Sequence, residues 1–138
     1  MTIPQNTAPL SGEGQAATKT IIVVEDDQAI CSFLLEAIAR ETPYRAIVAT
    51  DSRAALKLVQ YYKPDLLILD YGLPYMNGIE LYDRLHSNKE LAAIPAILMT
   101  AIRHIPQEQI QQRQLITFKK PFELDALLAT IETLLTSP

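Results

Sequence analysis

Several large classes of protein are excluded by what this chain lacks. Among its 138 residues there is one cysteine, Cys31, so no internal disulfide can form. A reducing cytoplasm is therefore the natural compartment. Cys31 lies in an apolar helical pattern and reads as a small buried hydrophobe rather than a reactive thiol. No apolar run approaches the length of a membrane span. The first residues carry no charged segment followed by an apolar core, so no signal peptide is expected. Basic residues are in deficit, 12 Lys and Arg against 16 Asp and Glu, which argues against nucleic acid as a direct partner. No Gly-rich or Ser/Thr-rich loop follows the first apolar run, where a flavin or nucleotide binder needs one to cradle phosphate. Glu25-Asp26-Asp27 stands there instead and repels phosphate unless a metal intervenes. There is no internal repeat.

What is present describes one ordinary globular domain, with 49% hydrophobic and 20% charged residues. Residues 1–18 show no period and read as a flexible leader. Residues 19–138 read as a single domain. Thr20 to Val24, Tyr44 to Ala49, Leu66 to Asp70 and Ala96 to Thr100 are strands, and Leu115 to Phe118 is a weaker fifth. Helices are expected from Asp27 to Arg40, from Asp51 or Ser52 to about Tyr62, from Ile79 to about His86, over Pro106 to Gln114 and from Phe122 to Leu135. In the first of these, Ala29, Ile30, Phe33, Leu34, Ala37 and Ile38 recur at helical spacing. Five strands alternating with five helices imply an α/β fold, a doubly wound parallel sheet covered on both faces.

The chemistry gathers at strand ends. Leu66-Leu67-Ile68-Leu69 is an apolar run of the kind buried on both faces of a sheet, and it delivers Asp70 to its carboxyl end. Open α/β sheets build their sites there. The first strand ends in Glu25 and Asp26, the fourth in Thr100 and the fifth in Lys120. Three carboxylates in one crevice are unfavourable unless a cation sits among them, and hard divalent ions such as Mg²⁺ take carboxylate oxygens. An acid trio, a hydroxyl and an ammonium make a coherent phosphoryl-transfer site, with Asp70 as the nucleophile. Asp27 is equally suited to capping the first helix and to joining the metal shell.

Val23-Val24-Glu25-Asp26-Asp27, Leu69-Asp70-x-x-Leu73-Pro74-x-x-x-Gly78, Met99-Thr100-Ala101 and Lys120-Pro121-Phe122 together resemble the receiver domain of two-component response regulators. The four motifs occur in the family's order; 44 positions separate Asp26 from Asp70 and 30 separate Asp70 from Thr100. The resemblance runs from about Lys19 to the C-terminus and implies the flavodoxin-like receiver fold. It implies that Asp70 is the phosphoacceptor, taking its phosphoryl group from a phosphohistidine. It implies that Glu25, Asp26, one Asp70 oxygen and the backbone carbonyl of Gly72 bind Mg²⁺ or Mn²⁺. Thr100 is then the switch hydroxyl, Lys120 contacts the phosphoryl group, and the Lys120–Pro121 bond is cis. The implied partners are a sensor histidine kinase or histidine phosphotransfer protein and a downstream protein target, without nucleic acid or membrane. A homodimer is left open.

The chain departs from the family in its readout segment. The position three before Lys120, usually aromatic, is Thr117, with Phe118 beside it. The segment 101–119 is short, and Gln107 to Gln114 holds five glutamines where a Gly-Ala-Asp stretch is usual. Gly72 replaces a commonly larger residue and leaves the approach to Asp70 open. His86 and His104 read as surface residues, and Tyr71 and Tyr75 as the rim of the acceptor. The expected function is a single-domain phosphorylation switch with at most weak self-dephosphorylation. The alternative is a docking module of the same fold whose phosphorylation no longer matters. A phosphatase with an aspartate nucleophile is disfavoured, because its general acid would stand at Gly72.

Overall fold

The computed structural model describes residues 18–101 and 104–136, so all but Thr18 of the expected leader lies outside the described residues. In chain order the elements are β1 (Thr20–Val24), α1 (Gln28–Glu41), β2 (Arg45–Ala49), α2 (Ser52–Leu58), β3 (Leu66–Asp70), α3 (Gly78–His86), a 3₁₀ turn (Lys89–Leu91), β4 (Ala96–Thr100), α4 (Gln107–Gln112), β5 (Ile116–Lys119) and α5 (Leu124–Thr136). The five strands form one parallel sheet in the order β2-β1-β3-β4-β5. The expected doubly wound α/β fold is present. None of the described helices is long and apolar enough to cross a membrane.

The order of the strands explains where a site can form. From β1 the chain steps outward to β2, then returns across β1 to lay down β3 on its other side. The connections leave β1 and β3 in opposite directions, and a crevice opens at their carboxyl ends. Val24 pairs with Leu69 in the parallel register. Glu25 and Asp70, one residue further along each strand, are therefore side by side.

Alternation along the buried strands divides the core in two. Ile22, Val24, Leu67, Leu69 and Leu98 face α2 and α3, together with Ile79, Leu81 and Leu85. Ile21, Val23, Leu66, Ile68, Ile97 and Met99 face α1 and α5, against Leu34, Ile38, Leu127 and Ile131. Burying a side chain of this size is worth about 1.5–3 kcal/mol, so β1, β3 and β4 form a rigid floor under the site.

Polar residues set the helix starts. Asp27 caps α1, its Oδ1 accepting from the Ile30 amide at 3.0 Å. Asp51 caps α2 through the Ala54 amide at 2.7 Å. Asn77 and Glu80 form a reciprocal capping box at the start of α3, each side chain accepting the other's amide at 2.9 Å.

The structure corrects three expectations. Phe33 stands 49% exposed and Ala29 lies outside the core, because α1 buries the stripe Cys31, Leu34, Ala37 and Ile38. Helix α2 ends at Leu58 rather than near Tyr62. His86 is half-buried: its ring stacks on Tyr82, and its nitrogens lie 3.0 Å from the Tyr82 carbonyl oxygen and 2.7 Å from that of Ile94.

Candidate phosphoacceptor site

The strand ends bring together Glu25, Asp26, Asp70 and Lys120. One carboxylate oxygen from each of the three acids lies within 4.8 Å of the others. Glu25 and Asp70 are buried, whereas Asp26 is exposed. The Lys120 ammonium donates to Glu25 Oε1 at 2.7 Å and to Asp70 Oδ1 at 3.1 Å. The Asp27 amide donates to Glu25 Oε2 at 3.0 Å. Asp27 therefore serves the site through its backbone and the helix through its side chain.

Burial pushes the Glu25 carboxyl above its usual range. The hydrogen bonds from Lys120 and the Asp27 amide pull it down, the charge of Asp70 pushes it up, and the net shift is upward. Burial alone would lower the Lys120 ammonium. The hydrogen bonds and charges of Glu25 and Asp70 outweigh it, so Lys120 is held in its charged form. One ammonium faces three carboxylates, and full ionisation leaves two negative charges uncompensated. A set of hard oxygen donors carrying surplus negative charge fits a divalent cation.

Thr100 ends β4 and is 2% exposed. Its carbonyl oxygen accepts the Lys120 amide at 2.8 Å, which ties the hydroxyl-bearing residue to the lysine. The Lys120–Pro121 bond is cis. Gly72 lies two residues beyond Asp70, exposed, with no atom other than those of its chain neighbours within 4 Å of where a Cβ would stand. Cys31 is buried and its Sγ–H donates to the Glu25 carbonyl oxygen at 3.1 Å; burial raises its thiol pKa.

A family model for the response regulator receiver domain matches residues 21–132. The chain belongs to the response regulator receiver family. Receiver domains are phosphoacceptor modules of two-component signalling. The sporulation initiation phosphotransferase F of Bacillus subtilis is 33% identical over 108 residues, a match covering 77% of this chain and 86% of that protein. The alkaline phosphatase synthesis regulator PhoP of the same organism is 37% identical over 83 residues, covering 60% of this chain but only 33% of its own length. The chain thus spans about a third of that relative. Among solved structures, the receiver domain of a DNA-binding response regulator from Colwellia psychrerythraea superposes with a TM-score of 0.79 at 26% identity, covering 86% of this chain and 99% of that one.

The helix before β5 is short. Helix α4 has 6 residues and buries Ile110 alone. Thr117 pairs with Leu98 and is exposed, whereas Phe118 pairs with Met99 and packs on the α1–α5 core. The ring at 118 therefore lies on the opposite face of β5 from Thr117. Arg113, just past α4, clasps Asp83 of α3 through two bonds of 2.7 and 2.8 Å. That clasp had no signature in the sequence, because Asp83 and Arg113 are 30 positions apart.

Proposed function

We propose that this receiver accepts a phosphoryl group on Asp70 from a protein phosphohistidine, with Mg²⁺ or Mn²⁺ as the required ion. The convergence of Glu25, Asp26 and Asp70 on one point, with Lys120 bridging two of them, carries this reading. Glu25, Asp26, Asp70 and the Gly72 carbonyl hold the ion, which when bound neutralises phosphoryl oxygens. An Asp70 oxygen attacks phosphorus. An O–P bond forms, the P–N bond of the donor breaks, and the imidazole leaves with the electron pair and is protonated. Lys120 binds a phosphoryl oxygen as a point charge. Thr100 donates its hydroxyl to another and moves inward, shifting the surface between two states. Self-dephosphorylation is weak in this reading, and the signal leaves by protein contact or by passing the phosphoryl group on. The compartment is the reducing cytoplasm, where the Cys31 thiol persists.

The acyl phosphate has a distinctive chemistry. Borohydride converts it to an alcohol, so treatment after phosphorylation is expected to leave homoserine at position 70 in the tryptic peptide. Homoserine elsewhere, or none, contradicts the assignment.

An apolar groove of about 510 Å³ beside Lys120, lined by Phe33, Ile30, Pro121 and Phe122 among others, suits the approach of a protein donor. Exposed aromatics at such a groove commonly dominate binding. Phe33→Asp is expected to slow transfer from a phosphohistidine protein by about tenfold or more while leaving labelling by acetyl phosphate unchanged. Equal rates from the protein donor for both forms would move its dock elsewhere. The second reading, a docking module indifferent to phosphorylation, draws on the 6-residue α4 and the exposed Thr117. It predicts one and the same partner affinity with and without phosphate on Asp70.

A further inference from the structure

The loop between Asp70 and α3 contains a strained turn. Tyr75 has a φ of 73°, in the left-handed region. The amide of Met76 donates across it to the Pro74 carbonyl oxygen at 2.8 Å. A bond from i+2 to i over a residue with that φ describes the γ-turn of the rarer, strained hand. Glycine adopts it freely; a tyrosine populates it roughly ten- to a hundredfold less than its relaxed alternatives and stays there only when its surroundings insist.

Two consecutive residues at the start of α2 supply that constraint. Ser52 is fully buried and its hydroxyl donates to the Met76 carbonyl oxygen at 2.8 Å. The Arg53 guanidinium lies 4.5 Å over the Tyr75 ring, within cation–π distance. Asp51 caps the same helix end, so the grip has a fixed base. The loop's other anchors are elsewhere: the Tyr71 amide on the Met99 carbonyl at 2.7 Å, the Gly78 amide on the Tyr71 carbonyl at 3.0 Å, and the buried Leu73. Gly72, exposed and without a side chain, depends on its neighbours for its orientation.

We propose that Ser52 and Arg53 are positioning residues for the acceptor loop. They hold the Tyr75–Met76 turn in its left-handed form and so keep Gly72 oriented for the ion beside Asp70. The inference rests on the reading of that site as a phosphoacceptor. It assigns the start of α2, which touches none of the reacting atoms, a part in metal affinity.

The test is solution NMR on the full chain. Amide exchange at Met76 reads the turn, and a Mg²⁺ titration followed at Gly72 and Asp70 reads the site. In the double variant Ser52→Ala, Arg53→Ala, Met76 is expected to exchange about tenfold faster or more, and Mg²⁺ affinity to fall about tenfold. Adding Tyr75→Gly is expected to restore both, because glycine adopts the turn unaided. Arg53→Lys, which keeps a cation at the ring, is expected to retain most of the affinity. Unchanged Met76 exchange in the double variant, or failure of Tyr75→Gly to restore Mg²⁺ affinity, overturns the proposal. A wild-type chain whose Gly72 and Asp70 signals ignore Mg²⁺ refutes the phosphoacceptor reading instead, and Met76 exchange alone then decides whether the grip exists.

Discussion

Gly78→Ala is expected to destabilise the fold by about 3 kcal/mol and to impair acceptance of phosphate at the same time. A Cβ at position 78 would stand 2.6 Å from the Asp70 carbonyl oxygen, 2.8 Å from Leu98 Cδ1 and 3.0 Å from Tyr71 Cα. The Leu98 methyl can move; the other two atoms are backbone. The Tyr71 amide is fixed to β4, and the Tyr71 carbonyl accepts the Gly78 amide. Strand β3 cannot retreat without breaking one of these bonds. Helix α3 cannot retreat without lifting Ile79 and Leu81 from the core. Either movement displaces the acceptor carboxylate from Lys120 and the other acids. Urea unfolding reads the stability and acetyl phosphate labelling reads the site. Wild-type stability in this variant would mean that the close approach of α3 to Asp70 is not tight in solution.

Lys120→Ala is expected to reduce phosphorylation of Asp70 by roughly 10²–10³-fold, the usual cost of removing a preorganised charge from a developing anion. Its effect on stability depends on pH. The substitution leaves the buried Glu25 with only the Asp27 amide as a partner. Glu25 already has a raised pKa, for which burial is the main cause. Losing the ammonium raises it further. A carboxyl whose folded pKa exceeds its unfolded value favours the fold when protonated, and stability is lost as pH rises from the unfolded value through the folded one. Near pH 4 the variant and wild type are therefore expected to be close. Toward neutral pH the variant falls behind by about 1–3 kcal/mol. Lys120 titrates in the same sense but in another range: its raised pKa contributes stability below the usual lysine pKa that is lost as pH rises through the folded value, far above this window. Urea midpoints at the two pH values separate the cases. A loss independent of pH would show that Lys120 acts through packing of its stem rather than its charge.

The parts legible in the sequence are those that depend on local pattern. The runs Ile21–Val24, Leu66–Leu69 and Ala96–Met99 are buried on both faces and appear as uninterrupted apolar segments. The acids that follow β1 and β3 reach the crevice because a parallel register of neighbouring strands leaves no other place for them. Pairing across elements was less legible. The expected apolar face of α1 included Phe33, since periodicity marks a stripe wider than the one the sheet covers; Phe33 is left over and meets Phe122 across the groove at a centroid distance of 6.4 Å. His86 carries no apolar signal for burial because, apart from the Tyr82 ring it stacks on, its partners are two backbone carbonyls. Ser52 looked like an alternative cap for α2, but Asp51 takes that role and frees the Ser52 hydroxyl for Met76. The weak β5 owes its irregular pattern to its edge position, where three of its four residues are exposed.

The most direct measurement is the intact mass of the protein after incubation with acetyl phosphate and Mg²⁺, for wild type and for Asp70→Asn, with and without chelator. One added phosphoryl group is expected on wild type, none after chelation and none on Asp70→Asn. Addition to the Asn variant, or addition that survives chelation, would contradict Asp70 as a metal-dependent acceptor. The absence of any addition to wild type would leave a receiver fold retained for docking alone.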